Sequence, residues 1–89
     1  MEKLLTKLEQ EGIVEKGVYT AAHEMDNPEI YLMMKKKDGK YGIINNKGRL
    51  LIPCKYESIA HKSDDTYECI GLANKFYYTD IYNSKFKLV

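Results

Sequence analysis

The sequence predicts a mainly β, α+β protein, with an N-terminal helix packed on a small antiparallel β-sheet or barrel-like meander of hairpins. The chain has 89 residues, a length typical of one domain. Helical periodicity is confined to residues 1–12, and residues 13–89 follow the two-residue period of strands. Turn residues then recur about every 8–12 positions, as in small sandwiches and barrels. We therefore treat residues 1–89 as a single domain.

The N-terminal segment Met1–Glu11 is the one helical pattern in the sequence. Leu4, Leu5 and Leu8 form an apolar stripe together with the first residue, and charged side chains occupy the remaining positions. Gly12 follows, where a left-handed C-terminal cap is expected. Three turns are marginal for an isolated helix, so we expect the leucine stripe to pack against the strands.

The first two strands are predicted at Ile13–Ala22, interrupted by Gly17, and at Glu29–Lys37. The cluster Asp26–Pro28 between them is a turn signal. The second strand has apolar residues on both of its faces. A strand that is apolar on both faces is expected in the middle of a sheet, covered on both sides.

The segment Lys37–Ile59 predicts a hairpin more strongly than any other part of the chain. It begins with an Asp-Gly turn at residues 38–39, followed by a strand at Lys40–Asn45. Asn46–Gly48 predicts the next turn, and Arg49–Ile52 the returning strand. Pro53 lacks an N–H group for a ladder, so it is expected to end that strand or to lie at an edge.

The rest of the sequence predicts a continuing meander with turns at Asn74-Lys75 and Asn83-Ser84. Its strands are predicted at Tyr56–His61, Thr66–Ala73, Phe76–Tyr82 and Phe86–Val89.

An internal similarity links the two halves of this meander. Residues Ile43–Leu51 align with Ile81–Val89, and Tyr31 aligns with Tyr67 once two residues are inserted between. The second copy is degenerate, because it lacks the Tyr-Gly pair and both turn glycines of the first.

The motifs of the first copy resemble the bacterial WG (Trp-Gly) repeat. They are the runs Asp38–Ile44, Asn46–Gly48 and Ile52–Tyr56. In that repeat a short turn precedes an aromatic-Gly pair and a strand, and a Lys-Gly turn precedes a strand that ends in Ile-Pro and Lys-Tyr steps. Tyr41 stands where the family has its tryptophan, and Gly42 matches the glycine after it.

The resemblance covers about residues 31–59, with the degenerate copy at 67–89. It implies a β-rich repeat module that takes part in protein interaction, and it implies no reaction. An aromatic side chain at Tyr41 and a glycine at Gly42 also suit the needs of a hairpin alone, because the glycine leaves room for a ring or a neighbouring backbone.

Composition excludes several function classes. The formal net charge is +1, from 14 basic and 13 acidic side chains, so no bulk charge favours nucleic acid or membrane. The N-terminal residues are too polar for a secretory signal, which predicts a cytoplasmic protein with reduced cysteines. Lysine far outnumbers arginine, a bias associated with AT-rich bacterial or phage genomes.

The metal-binding and nucleophilic residue types are few. His23, Cys54, His61 and Cys69 do not have the close spacing of a structural zinc site. A Cys–His nucleophile pair would need an activated thiolate, whereas Cys69 shares a strand face with Tyr67, as a core residue would. We therefore predict no metal, no cofactor and no enzymatic activity.

The predicted function is a protein–protein interaction module, either a small inhibitor or an adaptor of a larger protein, with self-association as a further option. Three consecutive aromatics begin at Phe76, so at least one must face away from a one-sided core. The alternative is a small nucleic-acid-binding protein that uses the Lys35–Lys40 cluster and nearby tyrosines. The predicted partner-binding residues are Tyr77, Tyr78, Tyr82, Lys36, Lys37 and Lys40.

Overall fold

The N-terminal helix α1 spans Lys3–Gln10 in the computed structural model, which describes residues 3–89. Met1, which the sequence assigns to the apolar stripe, lies outside the described residues. The stripe itself is confirmed, because Leu5 and Leu8 are buried. The helix ends in a Schellman cap, in which the Ile13 N–H donates to the Leu8 carbonyl (2.9 Å) and Gly12 has a φ of +74°.

Sheet A contains four antiparallel strands in chain order, β1-β2-β3-β4. The strand β1 begins at Tyr19, six residues later than predicted, because Ile13–Val18 forms turns. Gly17 has a φ of +84° there, and Val14 is buried in the core beneath the helix. The bounds are β1 Tyr19–Glu24, β2 Ile30–Lys35, β3 Tyr41–Asn45 and β4 Leu50–Tyr56.

Sheet B is a three-stranded antiparallel meander that follows β4 after the single residue Glu57. The strand predicted at Phe86–Val89 is reduced to one bridge between Tyr82 and Leu88, because the turn Asn83–Lys87 occupies the first two residues of that segment. The bounds are β5 Ser58–His61, β6 Tyr67–Ala73 and β7 Phe76–Tyr82. Within the part of the chain that the structure describes, one short helix and seven strands confirm the predicted mainly β, single-domain α+β class.

The two faces of sheet A are covered by different layers. On one face Met33 and Ile44 pack against the leucines of α1. On the other face Ile30 and Ile43 pack against sheet B. The strand β2 therefore contributes to both cores, which confirms the prediction that it lies in the middle of a sheet.

The strand β4 continues through Pro53 to Tyr56, whereas the sequence predicts its end at Ile52. The bound is corrected, and the alternative prediction that Pro53 lies at an edge is confirmed, because β4 is an edge strand with an irregular register against β3. The close approach of the bulged strand depends on Gly42, because a Cβ there would lie 2.6 Å from the carbonyl oxygen of Ile52.

The two Asn-x-Lys turns have the same hydrogen-bond pattern. In the turn Asn45–Arg49, Oδ1 of Asn45 accepts the backbone N–H groups two and four residues later, both at 2.9 Å. In the turn Asn83–Lys87, Oδ1 of Asn83 accepts the corresponding pair at 2.9 and 3.0 Å. The residue in the left-handed region is Gly48 in the first turn and Phe86 in the second, with φ values of +85° and +62°.

The cross-strand pairs extend this correspondence to the hairpins that precede the turns. Tyr31 pairs with Ile44 in sheet A, and Tyr67 pairs with Tyr82 in sheet B. The second hairpin is two residues longer between its paired positions, which is the insertion that the sequence alignment requires.

Within residues 3–89, no helix has the length and apolar character needed to cross a membrane.

The glycine of the first turn provides a test of the packing between the helix cap and sheet A. A Cβ at Gly48 would collide with the carbonyl oxygen of Ile13, whereas a Cβ at Gly39 meets no atom within 4 Å. Both glycines have positive φ. We expect Gly39→Ala to lower the free energy of unfolding by about 1–2 kcal/mol and Gly48→Ala by about 3 kcal/mol, because overpacking is added. Urea denaturation measures both, and equal losses would contradict the predicted contact.

Candidate functional site

The hairpin β6–β7 presents the largest exposed apolar side chains of sheet B. Its two-residue turn, Asn74-Lys75, has φ values of +51° and +70°, the conformation of a type I′ turn that matches the twist of paired strands. Leu72 lies opposite Tyr77 in the register, and the pair Ala73–Phe76 separates them from the turn. The exposed fractions are 40 % for Leu72, 76 % for Phe76 and 71 % for Tyr77. We call these three residues the hairpin tip.

The hairpin tip has no counterpart in the first half of the chain. The corresponding β2–β3 hairpin is two residues shorter, and its turn carries lysines and Asp38 rather than apolar residues. The tip residues therefore extend a longer ladder: the β6–β7 pairing continues to Ala73 and Phe76 at a two-residue turn, whereas the β2–β3 pairing ends at Met34 and Tyr41.

Of the three tyrosines predicted to bind a partner, only Tyr77 is exposed. Tyr78 is half-buried, and its ring lies over Gly71, where an added Cβ would collide with it. Tyr82 is 8 % exposed and belongs to the core. The prediction that Tyr82 binds a partner is therefore corrected, because the side of β7 that carries Tyr82 faces sheet A.

The buried tyrosines form a hydrogen-bonded link between the two sheets. Tyr56, at the end of β4, is 0 % exposed. Its hydroxyl lies 2.8 Å from Oδ2 of Asp80 and 2.8 Å from the hydroxyl of Tyr82, both on β7. Burial, reinforced by these two hydrogen bonds, raises the pKa of Tyr56 far above its ordinary value of 10.0. The hydroxyl therefore stays protonated and donates.

The three predicted lysines differ in their surroundings. Lys36 and Lys37 are exposed on the β2–β3 turn, beside an open concavity of about 600 Å³ that Gly17 and Val18 also line. Lys40 is half-buried and forms an ion pair with Glu57. Lys40 thus contributes to the junction between the sheets, while Lys36 and Lys37 remain accessible.

The two cysteines lie in environments that disfavour thiolates. Burial raises the pKa of the Cys69 thiol to about 12. Burial is also the main reason that the pKa of Cys54 is raised, although Lys35 and a hydrogen bond from Tyr19 act in the opposite direction. Both thiols are protonated near neutral pH and are therefore poor nucleophiles.

His61 connects the turns that precede β2 and β6. Its Nε2 lies 2.8 Å from Oδ1 of Asp65, and its Nδ1 lies 3.5 Å from Oδ2 of Asp26. The ring also stacks on Tyr67, with centroids 4.7 Å apart, and Tyr67 stacks on Phe86 at 5.1 Å. The hydrogen bond to Asp65 is the main cause that raises the pKa of His61 above 6.5.

In residues 3–89, no group of three or more His, Cys, Asp or Glu side chains is arranged to hold a metal ion.

Two of the tip residues, Leu72 and Phe76, are absent from the predicted set. The signal that could have identified them is the short turn, because only Asn74 and Lys75 lie between the strand residues Ala73 and Phe76. A two-residue turn fixes the register and so places Leu72 opposite Tyr77 on the same face.

Comparisons of the chain with models of protein families, with curated proteins and with solved structures find no match. The resemblance to the WG repeat therefore stays a prediction.

The hydroxyl of Tyr56 can be tested by Tyr56→Phe. This change leaves Asp80 and Tyr82 without their shared partner inside the molecule, so we expect the free energy of unfolding to fall by about 1–3 kcal/mol. Tyr77→Phe removes the same group from an exposed ring and should change stability by less than about 0.5 kcal/mol. Urea denaturation of both variants measures the difference, and equal stabilities would show that the buried hydroxyl contributes nothing.

The raised pKa of His61 predicts a pH-dependent stability. A group whose pKa is raised by folding stabilises fully below its unfolded pKa, and this contribution is lost as pH rises through the folded value. Thermal unfolding followed between about pH 5 and pH 8 should therefore show a stability decrease toward the alkaline end. We expect His61→Gln to flatten this dependence.

A matched control is Asp65→Asn, which keeps the imidazole but removes its nearest carboxylate. This variant should move the pKa of His61, measured by NMR titration, back toward 6.5. A pKa that does not respond to Asp65→Asn would contradict the assigned cause.

Proposed function

We propose that this chain is a non-enzymatic protein-interaction module that binds another protein through the hairpin tip. The observation that carries the proposal is the exposure of Leu72, Phe76 and Tyr77 on one turn of the molecule. These side chains lie at the turn end of β6 and β7, outside the interface with sheet A, so they add nothing to the core.

The chemistry of the tip suits a binding hot spot. Aromatic side chains supply large contact areas at a low entropic cost, and tyrosine is enriched among the residues that dominate interface energies. The type I′ turn at Asn74-Lys75 holds the tip rigidly. A rigid apolar projection loses little conformational freedom when a partner covers it.

We further propose that the two halves of the chain are WG-type units and that the protein acts as a small cytoplasmic inhibitor or adaptor. Support for the first part comes from the shared side-chain hydrogen bonds of Asn45 and Asn83. Support for the second part comes from the exposed apolar side chains of the hairpin tip.

Protein binding is favoured over nucleic-acid binding by the surroundings of the residues that the alternative requires. Lys40 is paired with Glu57, and the rings of Tyr56 and Tyr82 are buried. Two of the tyrosine faces that could stack on bases are therefore covered by protein.

The test compares wild type with a double variant, Phe76→Thr and Tyr77→Thr, in affinity capture from the native host followed by mass spectrometry. Threonine keeps the strand propensity while removing the aromatic anchors. Because hot-spot aromatics contribute about 2 kcal/mol or more each, we expect capture of the partner to fall at least about tenfold. Unchanged circular dichroism and urea midpoint would show that the double variant remains folded.

The matched control is Lys36→Ala with Lys37→Ala, two exposed lysines on the other hairpin. This variant should retain the partner. If the lysine variant loses binding while the tip variant keeps it, the tip proposal is wrong. Oligonucleotide binding that weakens steeply with salt would then support the alternative.

A further inference from the structure

The strand β7 has a free edge. In sheet B its one paired neighbour is β6, and among the described residues only the bridge between Tyr82 and Leu88 lies on its other side. The N–H of Val89 donates to the carbonyl of Ile81 (2.8 Å), beside that bridge. The edge from Phe76 to Asp80 has no strand against it.

Strand alternation identifies the backbone groups at this edge. The carbonyl of Ile81 and the N–H of Asn83 both bond to the C-terminal segment, away from β6. In an antiparallel pair the N–H and C=O of one residue point to the same side, and the side alternates along the strand. The N–H and C=O groups of Tyr77 and Thr79 therefore point outward, where a further strand would pair with them.

The first half of the chain shows how an edge at this position is used. By cross-strand pairing, Thr79 and Asp80 occupy the positions of Tyr41 and Gly42 in β3. In sheet A that side of β3 is covered by the antiparallel strand β4. The same type of hairpin thus carries a seven-residue fourth strand in sheet A, whereas in sheet B the described residues place only the bridge at Leu88 on that side.

The other edge strands of the molecule carry features that discourage pairing. The strand β4 contains Pro53 and an irregular register, β5 has only four residues, and β1 has a bulge after Tyr19. Such features protect natural sheet edges. The strand β7 has seven residues with no proline, and its pairing with β6 shows no register shift.

Asp80 defines the chemistry of a strand that fits this edge. Gly42 permits the close, bulged approach of β4, but Asp80 has a side chain at the corresponding position, so the added strand must be regular. The Asp80 carboxylate is half-buried and accepts a hydrogen bond from Tyr56. It favours a cationic side chain directly opposite. Residues of the added strand opposite Thr79 and Tyr77 lie on the other face, beside the exposed Tyr77 ring, which favours apolar side chains there.

We propose that β7 binds an extended segment of a second polypeptide, which adds as a fourth antiparallel strand to sheet B. The segment has a Lys or Arg opposite Asp80 and apolar residues opposite Thr79 and Tyr77. This proposal rests on the proposed function and states how the partner would bind, because the added strand lies beside the hairpin tip. Main-chain hydrogen bonds supply the binding, and the alternating side chains supply the specificity.

The experiment titrates the ¹⁵N-labelled protein with the peptide acetyl-Lys-Val-Thr-Ile-Thr-amide, whose five residues pair with β7 from Asp80 back to Phe76. We expect the amide signals of Tyr77 and Thr79 to shift and their hydrogen exchange to slow. The peptide with Glu in place of Lys should bind about fivefold more weakly, because the attraction to a carboxylate becomes repulsion.

The controls remove main-chain hydrogen bonds between β7 and the peptide in two ways. Thr79→Pro removes an outward N–H without removing a bond to β6, so the sheet should tolerate it while the peptide binds at least about tenfold more weakly. Thr79→Val keeps the N–H and should bind like wild type. The second control is a peptide N-methylated at its Val and Ile, which should not bind the unaltered protein.

Three results would overturn the proposal. The first is equal binding of the N-methylated peptide. The second is amide hydrogen exchange of Tyr77 and Thr79 that peptide addition leaves unchanged. The third is a concentration-dependent dimer that Thr79→Pro dissociates, because a second copy would then occupy the edge. If capture of the native partner depends on Phe76 and Tyr77 but survives Thr79→Pro, the proposed function holds and the strand-addition mode fails.

Discussion

Sheet A is apolar on both faces, and the other layers of the molecule exist because both faces must be covered. Met33 and Ile44 form one apolar surface, and Ile30 and Ile43 form the opposite one. Each fully buried aliphatic side chain contributes about 1.5–3 kcal/mol relative to exposure, so an uncovered face would remove much of the stability of a domain this small. The helix α1 covers the first surface, and sheet B covers the second. The sheet therefore lies between a helical layer and a second sheet.

The join between the sheets is made by the end of β4. Only Glu57 separates β4 from β5, so the chain passes directly from one sheet into the next. Tyr56, immediately before this residue, inserts its ring between the layers and bonds to Asp80 and Tyr82. Because Lys40 pairs with Glu57 at the same junction, the relative placement of the sheets is fixed both by packing and by polar contacts.

The sequence was sufficient to predict those elements whose local signals agree with their burial. The turn glycines Gly39 and Gly48 have the expected positive φ, and β7 has the predicted bounds. The predictions were wrong where tertiary contacts decide, as at Ile13–Val18, which packs under the helix as turns, and at the end of β4, which lies at Tyr56 rather than Ile52 because Pro53 takes the edge position that was its predicted alternative. At the candidate site, alternation could place Tyr82 on one face of β7, but it could not show that sheet A covers this face.

The degenerate sequence of the second half is compatible with the same turn because the side chain of Asn83, rather than a glycine, organises it. Phe86 adopts a positive φ that glycine adopts at Gly48; the strain costs about 1–2 kcal/mol, and stacking on Tyr67 offsets part of it. The change from a glycine to Asp80 has the opposite consequence, because a side chain there excludes a bulged strand such as β4. The second half therefore keeps the turn of the first but admits only a regular strand beside Asp80. Among the described residues, no strand lies against Tyr77 and Thr79 on that side of β7, beside the exposed aromatic hairpin.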